Sequence, residues 1–180
     1  FDIADIEGIS ENSKKCMDLL NGKIDVLINN AGTGVRKSIE ELSIEDFLTV
    51  YNTNVFGLAL LTKEIVPIMK KCKRGNIINI GSTASLKGYQ TGSIYSSSKF
   101  ALRSLTQCWQ AELRPFNIRV TQVNPSEVTT AFANPERKER DEVYNKLTAK
   151  EIAHAIVSSL EMDDRGFIPE FSVWASNPFE

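Results

Sequence analysis

The chain has 180 residues, a hydrophobic content of 42%, a charged content of 24% and a formal net charge of −2. This length predicts one domain, residues 1–180, with a substantial core, and the slightly acidic balance argues against a nucleic-acid partner. No run of about 18 apolar residues is present, so we expect no membrane span, and Phe1–Leu20 lacks the apolar core of a secretory signal.

The predicted elements alternate between strands and helices from the start of the chain. Phe1–Ile3 resembles the end of a strand, and Ile6–Leu20 has the apolar periodicity of an amphipathic helix. Ile24–Ile28 is a predicted strand that leads into Asn29-Asn30-Ala31-Gly32. Ser43, with an acid three residues later, is the predicted N-cap of a long helix.

The second half of the chain continues the alternation. The long helix is expected to kink near Pro67. We expect the polar segment Asn134–Asn145 to be a mobile loop or lid. The remaining predicted elements are a strand at Ile77–Ile80, a helix from about Ile94 to Leu113, a strand at Ile118–Val123, a helix from Thr148 to Leu160 and a last strand at Phe167–Trp174. This order predicts an α/β fold with a parallel sheet covered by helices on both faces.

Three side chains with complementary proton chemistry follow the Ile77–Ile80 strand. Ser82 comes just after its end, and Tyr95 and Lys99 are spaced i and i+4, so on a helix they share one face. Gathered at the carboxyl edge of a parallel sheet, they form a plausible proton-transfer site. A Tyr-x-x-x-Lys pair alone is weak evidence, because a helical surface pair is about as plausible.

Four separated motifs together resemble the short-chain dehydrogenase/reductase family. They are Asn29-Asn30-Ala31-Gly32, Asn54 within Asn52–Gly57, the set Ser82, Tyr95 and Lys99, and the segment from Asn124-Pro125 to Thr129-Thr130. The resemblance implies a Rossmann-like, doubly wound parallel sheet and an NAD(P)-dependent oxidoreductase. Within the family, the chain is most similar to bacterial 3-oxoacyl-carrier-protein reductases, enzymes of fatty acid biosynthesis.

The residue types indicate how a carbonyl would be reduced. Tyr95 can serve as general acid in reduction and as base in oxidation if the Lys99 ammonium lowers its pKa, and Ser82 can hydrogen-bond the carbonyl oxygen. The resemblance further implies that Lys99 binds the nicotinamide ribose and that Asn54 holds a water that relays protons to Lys99. From the sequence alone, Asn54 could also be a polar residue satisfied inside a helix, although the motif context favours the functional role.

The resemblance also implies a set of cofactor contacts, with NADP or NAD as the cofactor. Asp2-Ile3 is expected beside the adenine, although Asp2 could also be a solvated terminal acid. The expected cofactor-binding residues are Asp2, Ile3, Asn30, Ala31, Gly32, Tyr95, Lys99, Pro125 and Val128. No metal site is expected, because the three cysteines, Cys16, Cys72 and Cys108, lie far apart without metal-ligand or disulfide-framework spacing, which indicates a reducing cytoplasm.

Two features depart from the family pattern. The ten glycines do not include the Gly-rich turn that holds a pyrophosphate at a helix N-terminus, so the resemblance implies that the first two to three βα units, about 50–60 residues, are absent. We therefore expect residues 1–180 alone to expose the edge of the Ile24–Ile28 strand, to be poorly soluble and not to bind NAD(P). The other departure is Ser126, which stands where the family usually has glycine.

Three functional hypotheses remain from the sequence. The favoured one is an oxidoreductase that reduces a small-molecule carbonyl to an alcohol, with a 3-oxoacyl thioester, free or carrier-protein-bound, as one candidate substrate. The others are a non-catalytic nucleotide-binding or scaffold member of the same fold, and an inactive fragment. The resemblance also implies a homodimer or homotetramer, because the family pairs the helix after Tyr95 and the helix after Ser43 across a two-fold axis.

Overall fold

The computed structural model describes residues 1–132, 134, 136 and 138–177. The helices are α1 (Ile9–Leu19), α2 (Ile44–Tyr51), α3 (Leu58–Cys72), α4 (Ser93–Leu113) and α5 (Ala149–Leu160), and the strands are β1 (Val26–Asn29), β2 (Gly75–Ile80), β3 (Ile118–Pro125) and β4 (Glu170–Val173). A π-helical turn at Asn52–Gly57 joins α2 to α3, and short 3₁₀ turns lie at Ile39–Glu41, Thr83–Ser85 and Arg114–Phe116.

The four strands form one parallel sheet in the order β1-β2-β3-β4. In its register, Ile28 pairs with Ile78 and Ile78 with Thr121. A strand buried in a parallel sheet is apolar on both sides, which explains why Ile77 and Ile78 are both fully buried. The predicted α/β, Rossmann-like parallel sheet is thereby confirmed.

Helices cover both faces of this sheet, and each face has its own apolar cluster. On one face α3 and α4 pack over β2 and β3; this cluster consists of Ile65, Met69, Ile77, Leu113, Ile118 and Val120. On the other face α5 packs over the same strands; its cluster consists of Ile78, Val123, Leu147, Ile152 and Ile156. The two clusters hold the strands rigidly, so the loops at their carboxyl ends are presented by a fixed support.

The start of the chain differs from the prediction. Phe1–Ile3 is not a strand but leads into a turn, in which the Asp2 carboxylate accepts a hydrogen bond from the Ala4 amide at 2.8 Å. An aspartate that captures the backbone two residues ahead favours a turn over an extended ladder. The strand prediction for Phe1–Ile3 was therefore wrong.

The long helix predicted from Ser43 begins as expected but is interrupted. The Ser43 hydroxyl accepts the Asp46 amide at 3.2 Å, as an N-cap does. The interruption is the π-helical turn Asn52–Gly57, and α3 then continues through Pro67 to Cys72. Gly57, the last residue of this turn, packs closely against the start of the chain. A larger residue would not fit there, because its Cβ would collide with the carbonyl oxygen of Ile3.

The polar segment predicted as a loop is held by ion pairs where the structure describes it. Arg140 and Lys146 contact the Glu127 carboxylate at 3.0 and 2.7 Å. Ala133, Pro135 and Arg137 of this region lie outside the described residues.

Within the described ranges, no helix is both long and apolar enough to cross a membrane.

Candidate active site

Ser82, Tyr95 and Lys99 meet at the carboxyl end of β2. Gly81 follows the strand and donates its amide to the Val123 carbonyl at 2.7 Å, which keeps the chain tight against β3. Ser82 then caps the Thr83–Ser85 turn, and its hydroxyl accepts the Ala84 amide at 3.1 Å. The turn therefore fixes the Ser82 hydroxyl on the side of the strand end that faces α4.

Helix α4 supplies the other two side chains from successive turns. Lys99 is 3% exposed, and its Nζ donates to the Ile80 carbonyl, the last of β2, at 2.8 Å. The same Nζ lies 5.8 Å from the centroid of the Tyr95 ring. The lysine thus bridges the end of β2 and the aromatic side chain one turn before it on α4.

Burial changes the proton affinity of both groups. It lowers the pKa of Lys99 to about 8, because the ammonium has lost its hydration. Burial also raises the pKa of Tyr95 above its usual value, and the neighbouring Ser82 hydroxyl opposes this by lowering it. The sequence predicted a Tyr95 pKa lowered by Lys99, whereas in this chain the desolvation of the phenol outweighs any such effect.

Asn54 lies in the π-helical turn and is fully buried. Its amide donates to the Thr33 carbonyl at 2.9 Å and to the Ser98 hydroxyl at 3.0 Å, and its carbonyl accepts the Thr33 amide at 2.9 Å. These bonds tie the segment after β1 to α4 at Ser98, the residue that precedes Lys99. π-turns recur at functional sites, because the extra residue redirects a side chain.

A cavity of about 540 Å³ lies where the chain start meets the segment after β1. It brings together four of the expected cofactor-binding residues; these are Asp2, Ile3, Ala31 and Gly32. Gly32 lies between this cavity and Lys99, because a Cβ there would lie 3.6 Å from the Lys99 Nζ. Asn30 is exposed and does not line the cavity.

The remaining expected contacts lie at the end of β3. Pro125 is its last residue, and Ser126 extends the ladder by donating its amide to the Val173 carbonyl at 2.9 Å. Ser126 does not adopt a positive φ, so serine in place of glycine causes no backbone strain here. Val128 forms an isolated parallel bridge with Leu147.

Several residues beside Tyr95 were missed by the sequence analysis. The Phe132 ring lies 5.6 Å from the Tyr95 ring, and a Cβ on Gly34 would lie 3.1 Å from Tyr95 Cδ2. The Arg36 guanidinium lies 5.6 Å from the centroid of the Tyr89 ring. No short motif marks these positions, because they come from three separate loops that only the fold brings together.

A family model described as short chain dehydrogenase matches residues 1–141. The chain is 33% identical over 184 residues to the NADP-dependent 3-hydroxy acid dehydrogenase of Schizosaccharomyces pombe, with 98% of this chain and 70% of that protein covered. It is 36% identical over 131 residues to retinol dehydrogenase 8 of Homo sapiens, with 72% of this chain and 42% of that protein covered.

The fold is similar to that of an alcohol dehydrogenase from the archaeon Thermococcus sibiricus, whose structure was solved in complex with 5-hydroxy-NADP. The TM-score is 0.88 and the identity 28%, and the match covers 98% of this chain and 73% of that one. The chain therefore spans about 70% of the length of two of these proteins and 42% of the third.

Proposed function

The chain belongs to the short-chain dehydrogenase family, and from that premise we propose that it is an NAD(P)-dependent oxidoreductase that interconverts a carbonyl compound and an alcohol. The observation that carries the proposal is the convergence of Ser82, Tyr95 and the buried Lys99 at the carboxyl end of β2. Binding sites in parallel α/β sheets lie at this edge.

The residues around the cavity fit a dinucleotide. The cavity volume of about 540 Å³ is in the usual range for ligand sites, and it leads along Gly32 to Lys99. We propose that Asp2, Ile3, Ala31 and Gly32 hold the adenosine side, and that the exposed Asn30, outside the cavity, contacts the ribose. We assign the nicotinamide side to Tyr95, Lys99, Pro125 and Val128. When bound, the cofactor supplies or accepts the hydride.

The side chains of this chain divide the proton chemistry among themselves. Ser82 and Tyr95 hold the carbonyl oxygen of the substrate, and the Tyr95 phenol donates its proton to that oxygen as it becomes an alkoxide. Because burial raises its pKa, Tyr95 is protonated at neutral pH and is ready to act as an acid in reduction. Lys99 stabilises the phenolate that remains, and Asn54 positions a water that returns the proton.

The substrate we propose is a 3-oxo or 3-hydroxy compound. The 3-hydroxy acid dehydrogenase of Schizosaccharomyces pombe supports this class by its name, and NADP is favoured as cofactor for the same reason. A 3-oxoacyl thioester, free or carrier-protein-bound, is the specific candidate that the sequence indicated. A cytoplasmic homodimer or homotetramer completes the proposal.

The test is reduction of a panel of 3-oxo compounds by the full-length protein, followed by the absorbance of NADPH. We expect turnover by the wild type and a loss of about 10²–10⁴-fold in Tyr95→Phe, which removes only the acidic hydroxyl. Tyr144→Phe is the matched control, because the Tyr144 side chain is fully exposed. Wild-type turnover in Tyr95→Phe would contradict the assignment.

The same experiment distinguishes an active oxidoreductase from the alternative function. A non-catalytic nucleotide-binding member of the fold would bind NADPH, detectable by calorimetry, without oxidising it in the presence of any carbonyl. The presence of Ser82, Tyr95 and Lys99 together argues against this reading, because a nucleotide sensor needs no proton donor beside its ligand.

A further inference from the structure

The segment after β1 forms one wall beside the catalytic tyrosine. Gly34 packs against the Tyr95 ring, where a Cβ would come within 3.1 Å of Cδ2. The Lys37 amide donates to the Thr91 carbonyl at 3.2 Å, which joins this segment to the loop that precedes α4. Arg36, one of the two residues between Gly34 and Lys37, is therefore held close to the mouth of the site by contacts on both sides.

Arg36 is positioned there by an aromatic ring. Its guanidinium lies 5.6 Å from the centroid of the Tyr89 ring, a cation–π contact. The Tyr89 ring in turn packs on Gly92 at the start of α4, where a Cβ would lie 2.6 Å from Cζ of the ring. Glycine at 92 thus leaves the space that the ring occupies, and the ring restricts the orientation of the guanidinium.

Arg36 differs from its neighbours in how its charge is satisfied. Lys37 pairs with the Asp46 carboxylate at 2.7 Å, and Arg140 pairs with Glu127 at 3.0 Å. Within the described part of the chain, Arg36 forms no ion pair with any carboxylate. Its fork of donors is therefore available to an external anion.

The charge of Arg36 affects the pKa of the Tyr95 phenol. Arg36 lowers the pKa of Tyr95, although burial has the larger and opposite effect. Tyr89, which lies under the guanidinium, raises the same pKa. Both groups therefore share the surroundings of the Tyr95 hydroxyl, where the reacting carbonyl is bound in the proposed function.

We infer that Arg36 binds a carboxylate of the substrate, so that the protein prefers free oxo and hydroxy acids to neutral thioesters of the same acyl chain. The inference rests on the proposed function and specifies its substrate class. A guanidinium held on an aromatic ring matches the planar geometry of a carboxylate with two parallel donors. A neutral thioester offers no charge to this fork.

The test compares 3-oxobutanoate with its N-acetylcysteamine thioester, which carries the same acyl chain without the charge. The quantity measured is the ratio of kcat/KM for the acid to kcat/KM for the thioester, since any effect on Tyr95 common to both substrates cancels in it. We expect this ratio to fall about 10–100-fold in Arg36→Gln, the loss typical of one charge-assisted contact. Arg36→Lys should keep part of the preference, because it keeps the charge but not the fork.

Arg114→Gln is the matched control, because Arg114 is an exposed arginine at the far end of α4. It should leave the ratio unchanged. An unchanged ratio in an active Arg36→Gln variant would overturn the inference and leave the proposed function intact. A wild type that reduces no carbonyl at all would overturn the proposed function instead.

If the wild type reduces no carbonyl, calorimetry still tests whether Arg36 binds a carboxylate. The probe is 3-hydroxybutanoate, titrated into the wild type and into Arg36→Gln, each with NADPH present. We expect measurable binding to the wild type that is weakened about tenfold or more in the variant. Equal binding to both, or no binding to the wild type, would overturn the role of Arg36.

Discussion

Lys99, a residue of the proposed active site, is buried at a cost in stability. Its ammonium is buried against the Ile80 carbonyl, and the lost hydration lowers its pKa from 10.5 to about 8. Between these two values the unfolded chain binds more protons than the folded chain, so the free energy of unfolding rises with pH. Below about pH 8 the charged form is present in both states, and the full cost of burying it is felt.

The sign of this pH dependence can be tested directly. Between pH 8 and pH 9.5, the free energy of unfolding of the wild type should rise by about 1.5 kcal/mol relative to Lys99→Met, which has no charge to lose. The measurement is urea unfolding at both pH values. Lys63→Met is the control, because the Lys63 side chain is 74% exposed. Parallel pH dependences of wild type and Lys99→Met would show that the burial of Lys99 carries no such cost.

At the scale of elements, a row of buried and half-buried polar side chains crosses the whole sheet under α4. Hydrogen-bond distances of 2.7 to 3.1 Å connect its members. In order from β1 to β4, they are Asn29, Asn79, Thr106, Gln122, Asn124 and Glu170, and Arg103 of α4 ends the row on Glu170. The row passes directly beneath Gly81, where a Cβ would collide with Asn124, so it supports the strand end that carries Ser82.

Thr106, on α4, links Asn79 to Gln122 in this row. Thr106→Val keeps the shape but leaves the Asn79 amide without its acceptor, so we expect a loss of about 1–3 kcal/mol in the free energy of unfolding. Urea unfolding measures it, with Thr49→Val as the control, since Thr49 is exposed and its hydroxyl donates to the Glu45 carbonyl of its own helix. A loss no larger than that of the control would mean that the row contributes nothing to stability.

The π-helical turn supports a prediction with an unusual sign. Alanine in place of a helical glycine normally stabilises by up to about 1 kcal/mol. At Gly57 we expect Gly57→Ala to destabilise instead, because the added Cβ would collide with the carbonyls of Ile3 and Asn52. The displaced Ile3 would also distort the proposed adenosine cavity, so NADPH binding should weaken in calorimetry. An increase in thermal midpoint with unchanged NADPH affinity would contradict both parts.

At the scale of the whole molecule, α2, the π-helical turn and α4 pack together, and each carries an exposed apolar side chain. Leu48 is 47% exposed, Phe56 44% and Phe100 42%. Large exposed apolar groups on neighbouring elements are typical of protein interfaces. The surface supports the proposed pairing of these helices between two copies of the chain, across a two-fold axis.

The proposed oligomer predicts the effect of one charge. Phe100→Glu should lower the mass measured by light scattering to that of a single chain, because it places a carboxylate at the proposed interface. Val157→Glu is the control, since Val157 is similarly exposed at 51% but lies on α5, over the other face of the sheet. A dimer or tetramer that survives Phe100→Glu would place the interface elsewhere.

The sequence by itself determined the order of strands and helices from α1 onward, the parallel α/β sheet, and the cap at Ser43. These features depend on periodicity and on contacts between residues close in sequence, and local sequence patterns predict both. It also singled out Ser82, Tyr95 and Lys99, since their spacing is itself a local pattern.

Only the tertiary structure decided the features that depend on distant parts of the chain. The π-helical turn against Ile3 and the polar row across four strands both arise where segments far apart in sequence meet. The raised pKa of Tyr95 and the lowered pKa of Lys99 belong to the same class, because burial is a property of the packed chain and not of any residue type.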